Sequence, residues 1–164
     1  MGGDNSMSDK VPMTLAGKVK LEAELKNLMQ NERPSVIKAI EEARSNGDLS
    51  ENADYDAAKE RQAFCEARIA DIQGKLANAE VFDTANMSSE KVIFGATVKL
   101  LDLDADENIV YQIVGEDEAD VKQGKISVYS PLARSIIGRS KGDSIEFKSP
   151  KGEKEYEIID FYFK

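Results

Sequence analysis

The chain has 164 residues, room for one domain or two small ones; 41% are hydrophobic and 32% charged, a mix suited to long solvated surfaces more than to one compact core. The net charge of −9 argues against general nucleic-acid binding, which needs a positive field, while leaving room for a small local basic patch. Histidine is absent, which excludes His-based acid/base catalysis, Ser-His triads and His-ligated zinc; any metal chemistry must run on carboxylate oxygens, favouring magnesium, calcium or manganese.

At the start, MGGDNS (residues 1–6) reads as a leftover of recombinant expression, and residues 1–12 together as a disordered N-terminus. From about Thr14 to Asn46 helix formers dominate. Leu21, Leu25, Leu28, Met29, Val36, Ile37, Ile40 and Ala43 recur mostly at steps of three and four, as one buried stripe requires. Thr14 is a good N-cap, and Pro34 is expected to bend or locally loosen the helix because it lacks a backbone donor.

A second helix is predicted from about Asn52 to Glu80, with Cys65, Ile69, Ile72, Leu76 and Ala79 stepping by four, three, four and three. A seam this narrow covers one partner helix, and the short link at residues 46–51 makes the two helices antiparallel neighbours. About 30 residues per helix at roughly 1.5 Å rise would give a rod of roughly 45 Å, displaying its tip far from any small domain. Cys65, the single cysteine, rules out an internal disulfide and reads as a buried, inert thiol.

The tip, GDLSENADY (Gly47–Tyr55), supports two readings. In the first it is a turn: Gly47 ends the outgoing helix, and Asp48-Leu49-Ser50-Glu51 forms a capping box for the returning one. That reading leaves Asn52, Asp54 and Tyr55 without a task. In the second, Asp48 and Glu51, three apart, face the same way. Two carboxylates are too few to hold magnesium alone, yet they can complete the shell of a metal held by another protein, as in a two-metal phosphodiester site. Near the tip lie Arg44, Lys59 and Arg61. They are either solvated cations paired with Glu41, Glu42 and Glu60, or a small basic patch for a nucleic-acid strand; spacing does not separate these.

Composition changes near residues 80–95, placing a coiled-coil domain at 13–82, a linker at 83–90 and a second domain at 91–164. Val92–Leu103, Ile109–Val114, Ser144–Lys148 and Glu155–Phe163 are strand candidates, with SPKGEK (Ser149–Lys154) as a hairpin turn. SPLARSIIG reads as a short helix: Ser130 is the N-cap, Pro131 the first helical position and Gly138 the C′ residue. The predicted class is therefore α+β in two domains, an antiparallel coiled-coil hairpin followed by an antiparallel sheet carrying one short helix. The chain has neither an apolar run of membrane length nor a signal-peptide pattern, so no membrane partner and a cytoplasmic location are expected.

MTLAGKVKLEAEL (Met13–Leu25), GDLSENADYDAAKERQAFCEARI (Gly47–Ile69), VIFGATVKL (Val92–Leu100) and ISVYSPLARSIIGRSKGD (Ile126–Asp143) together resemble the bacterial transcript cleavage factors of the Gre family. The resemblance spans nearly everything after residue 12. It implies a coiled coil that enters the secondary channel of RNA polymerase and a C-terminal domain of FKBP-like fold that docks near the channel rim. It implies that the acids corresponding to Asp48 and Glu51 help hold a magnesium ion shared with the polymerase and position the attacking water. It further implies that the factor alone binds no cofactor and that the polymerase itself cleaves the 3′ end of backtracked RNA. Gly47, Asn52 and Tyr55 would support the tip. Arg44 and Lys59, with Arg61 beside them, would contact the nascent RNA, and Ser130 and Pro131 would lie near the polymerase contact. The alternatives are a channel-plugging antagonist, an FKBP-like isomerase or chaperone, and a passive helical adaptor; fold alone does not carry isomerase activity, and the chain has no tryptophan to floor such a pocket.

Overall fold

The computed structural model describes residues 10–45 and 52–164. They fall into two compact units: residues of Lys18–Ala79, and Lys10–Gly17 together with Glu80–Lys164. Among the described residues no helix is long and apolar enough to cross a membrane.

The first unit is a helical hairpin. Its outgoing arm comprises α1 (Leu15–Asn27), a π-helical turn (Leu28–Glu32) and α2 (Arg33–Ser45); α3 (Ala53–Ala77) returns. Leu21, Val36, Ile40 and Ala43 of the outgoing arm are buried, as are Ala58, Cys65, Ile69 and Ile72 of α3. A fully buried isoleucine such as Ile72 contributes about 2 kcal/mol by removal from water. The thiol of Cys65 is buried, as expected.

Pro34 acts through the turn before it. With no N–H to give the carbonyl four residues back, and with its ring crowding that carbonyl, it favours a wider turn upstream. The Arg33 N–H bonds to Leu28 O, the five-residue step of a π turn, and α2 continues without a break. The expected single stripe is therefore interrupted: Met29 and Ile37 are exposed, and Leu25 and Leu28 only half-buried. Where apolar burial lapses, two guanidinium–carboxylate forks cross between the arms. Arg68 grips Glu24 with bonds of 2.7 and 2.8 Å, and Arg33 grips Glu66 with two of 2.8 Å. The hydrogen bonds from Arg68 and Arg33 hold the carboxyls of Glu24 and Glu66 below their ordinary range.

The second unit is built on a five-stranded sheet. Its strands are β3 (Thr97–Asp102), β4 (Glu107–Val114), β5 (Lys125–Ser127), β6 (Ser144–Ser149) and β7 (Gly152–Tyr162), in spatial order β5-β4-β3-β7-β6. The expectation of a wholly antiparallel sheet is corrected: β5 runs parallel to β4. A three-residue strand is too short to show a period of two, so it left no signal in the sequence. The remaining pairings are antiparallel, and the β3–β7 register shifts between Lys99 and Leu100, where Ile159 of β7 falls out of the pairing. The predicted helix is present as α4 (Pro131–Ile136), with Pro131 in its first turn and Gly138 at φ 87°, the left-handed conformation that glycine supplies at C′. Ala133 and Ile136 of α4 join Val92, Val98, Leu100, Ile113, Ile145 and Ile158 in one core.

Residues 10–12 were expected to belong to a disordered N-terminus. Instead β1 (Val11–Thr14) pairs with β2 (Ala79–Phe82) in a separate two-stranded sheet. Thr14 caps α1, its hydroxyl accepting the Gly17 N–H at 3.0 Å. The compact division accordingly runs at residues 17/18 and 79/80, where composition suggested 13 and 82 as the limits of the first domain.

Asp102 closes the β3–β4 hairpin. Its carboxylate accepts the N–H groups of Asp104 and Ala105 at 3.0 and 3.1 Å and the Lys154 ammonium at 3.2 Å. These partners, the Ala105 N–H foremost, hold its pKa below the ordinary value against the effect of burial. A carboxyl whose pKa falls on folding stabilises the protein fully above its unfolded value, about 4, and loses that contribution as pH falls through the folded value. Asp102→Asn is therefore expected to melt below wild type at pH 7, with the gap narrowing in melts below about pH 4; parallel Tm–pH curves would contradict this.

Candidate functional site

The candidate site is the end of the hairpin, where α2 stops and α3 begins. Gly47, Asp48 and Glu51 lie outside the described residues; the groups on either side of them are described.

Asn52 is the N-cap of α3. Its side-chain oxygen accepts the Tyr55 N–H at 3.1 Å, satisfying one of the orphan donors of the first turn. Its amide nitrogen donates to Ala43 O, in the last turn of α2, at 2.7 Å. One side chain thus caps the returning helix and ties it to the end of the outgoing one. This corrects the capping box expected over Asp48–Glu51: α3 starts at Ala53, and its cap is Asn52. Asn52 was also left without a task by that reading, although the sequence carried a signal for it, an N-cap asparagine followed by Asp54 and Asp56 in the positive first turn.

Tyr55 is half-buried against the cluster of Val36, Ile40 and Ala58, so it pins the first turn of α3 to α2. The Arg44 guanidinium carbon lies 5.9 Å from the centre of the Tyr55 ring, a cation–π approach worth about 0.5–1 kcal/mol at an exposed site. Arg44, Asn52 and Tyr55 are thus brought together. Lys59 and Arg61 lie further along α3, both exposed, and the Lys59 ammonium donates to Gln62 Oε1 at 3.1 Å. Among the described residues none of Arg44, Lys59 and Arg61 forms an ion pair within 4 Å with Glu41, Glu42 or Glu60; Glu42 instead lies 4.0 Å from Lys38. Among the described residues, therefore, no ion pair occupies these three cations.

Ser130 and Pro131 belong to the second unit. The Ser130 hydroxyl accepts the Ala133 N–H at 3.3 Å and donates to Ser127 O at 2.6 Å, so it fixes the start of α4, and Pro131 beside it is exposed. Among the described residues no group of three or more His, Cys, Asp or Glu side chains is arranged to hold a metal ion.

Two family models cover the chain: "Transcription elongation factor, N-terminal" matches residues 11–81, and "Transcription elongation factor, GreA/GreB, C-term" matches residues 87–163. Similar proteins include the transcription elongation factor GreA of Hyphomonas neptunium, 54% identical over 156 residues, covering 95% of this chain and 99% of that protein. The transcription elongation factor GreA of Agrobacterium fabrum is 57% identical over 153 residues, covering 93% of this chain and 97% of that protein. A solved structure of Thermus aquaticus Gfh1 aligns with a TM-score of 0.44 at 28% identity, covering 94% of this chain and 99% of that one. The chain belongs to the GreA/GreB family of transcription elongation factors.

Proposed function

We propose that this chain is a transcript cleavage factor that inserts the end of its hairpin into the secondary channel of RNA polymerase. There it stimulates the polymerase's own hydrolysis of the 3′ end of backtracked RNA. The observation that carries this reading is the pair Asp48 and Glu51 in the segment joining α2 to α3, in a chain that belongs throughout to this family.

The donor set fits magnesium. Asp48 and Glu51 offer hard carboxylate oxygens, which would supply part of an octahedral shell and leave the rest to polymerase and water. Magnesium, when bound, lowers the pKa of a coordinated water and neutralises charge on the displaced phosphodiester oxygens. Everything else falls to the protein. Asn52 ties the start of α3 to the last turn of α2, fixing the two helix ends from which the acids are presented. Arg44, Lys59 and Arg61 offer positive charge to RNA phosphates without having to break ion pairs among the described residues. Ser130 and Pro131 present a rigid helix start for contact with polymerase. With so few ligands of its own, the factor is assigned no independent nuclease activity.

The test uses stalled, backtracked elongation complexes with magnesium. Adding the protein is expected to speed release of short 3′ RNA fragments. Binding to polymerase with cleavage left at its intrinsic rate would overturn the proposal in favour of a channel antagonist.

A further inference from the structure

The π turn changes the hairpin seam. An extra residue in one turn rotates the remainder of the helix by about 100° relative to a regular seam. No residue of Leu28–Glu32 is buried, and on the outgoing arm burial jumps from Leu21 to Val36. The space vacated is a cleft of about 630 Å³ between the arms. Its apolar floor includes Leu28, Val36, Ala57 and Cys65. On its edge stands Phe64, 78% exposed, the most exposed large apolar side chain described. A solvated aromatic beside an apolar cleft costs solubility unless it is covered, and aromatic residues next to a pocket dominate the energetics of protein interfaces.

The rim narrows what could cover it. Glu24 is engaged by Arg68, but Glu32 and Glu60 form no ion pair among the described residues, and Arg61 adds one positive charge. Two unpaired carboxylates against one guanidinium disfavour a phosphate backbone and favour a cationic polypeptide. The arms are also already held at this place by the Arg68–Glu24 and Arg33–Glu66 forks. The cleft is therefore open without the hairpin depending on it.

We infer that the cleft beside Phe64 is a second docking surface, for a polypeptide segment that seats a large apolar side chain on Leu28 and Val36. That segment sets a lysine or arginine against Glu32 and Glu60. The inference rests on the function proposed above, so the segment belongs to RNA polymerase, and the surface is distinct from the acids at the hairpin end.

The test measures affinity of the full-length protein for RNA polymerase without nucleic acid, alongside cleavage in backtracked complexes. Phe64→Ser should weaken polymerase binding at least tenfold with the melting curve unchanged, because the side chain is already exposed. Glu32→Lys with Glu60→Lys should weaken it further. At saturating Phe64→Ser protein, cleavage should return to the wild-type rate, since Asp48 and Glu51 are untouched. Wild-type affinity in both variants, with wild-type protein active in cleavage, overturns the docking surface and leaves the proposed function standing. So does a loss confined to cross-linking with the RNA, which assigns Phe64 to nucleic acid, or loss of self-association by sedimentation with polymerase affinity intact, which assigns the cleft to a second copy. A wild-type protein that neither binds polymerase nor speeds cleavage overturns both readings.

Discussion

Asp48→Asn is expected to cut magnesium-dependent transcript cleavage by about a hundredfold while leaving the melting temperature unchanged. Asparagine keeps one oxygen of similar shape but gives up the negative charge that makes aspartate a ligand for a hard cation. Loss of one charge-stabilising group at a reacting phosphodiester is worth about 10²–10³ in rate. The unchanged melt is due to Asn52: α3 is capped there, so Asp48 is not needed to start the helix. Two measurements check this, fragment release from backtracked complexes across a magnesium titration and thermal melting by circular dichroism. Cleavage at the wild-type rate would remove the metal role from Asp48. A lowered melting temperature would instead restore a structural role to the residue.

The second large effect is expected at Glu118, in the second unit. Its carboxylate accepts the N–H of Thr14 at 3.0 Å, the N–H of Gly115 at 3.2 Å and the hydroxyl of Thr14. Thr14 is buried, so Glu118→Ala strands its N–H in a place water reaches poorly. One stranded donor and the loss of two further bonds to a charged acceptor should cost about 3 kcal/mol, read as a fall in Tm of roughly 10 °C. Gly17 sharpens the test. A Cβ at Gly17 would overlap the Glu118 side chain, which its hydrogen bonds prevent from yielding. Gly17→Ala is thus expected to destabilise the wild-type protein. In the Glu118→Ala background the clash is gone, and the same change should stabilise by up to about 1 kcal/mol, since alanine is the better helix former. Additive effects of the two substitutions in a double-mutant cycle would show that the contact is not tight.

Some elements were legible because their signals are local. Ser130, Pro131 and Gly138 mark both ends of α4 by cap chemistry alone, and the β6–β7 turn sits inside SPKGEK. The buried positions Cys65, Ile69 and Ile72 keep the helical period. The outgoing stripe was less legible. Its period continues through Met29 and Ile37, but a hairpin offers one partner helix, and the π turn shifts the phase ahead of Val36, so those side chains meet water. At the hairpin end the residue types were readable, and the division of labour among them was not. The cap expected at Asp48 is made by Asn52, because a capping box and a lone N-cap asparagine give overlapping signals in one short stretch.

By itself, then, the sequence determined the order and type of most elements and the carboxylates and cations offered at the hairpin end. It also determined that Pro34 would disturb its helix. Caps, periods and missing donors act within a few residues, and a single chain displays them directly. Only the tertiary structure decided that Asn52 joins α3 to Ala43, that Glu118 receives Thr14 across 104 residues, and that the seam opens beside Phe64. Each of these depends on groups that meet only after folding, so no local pattern of propensity or spacing encodes them.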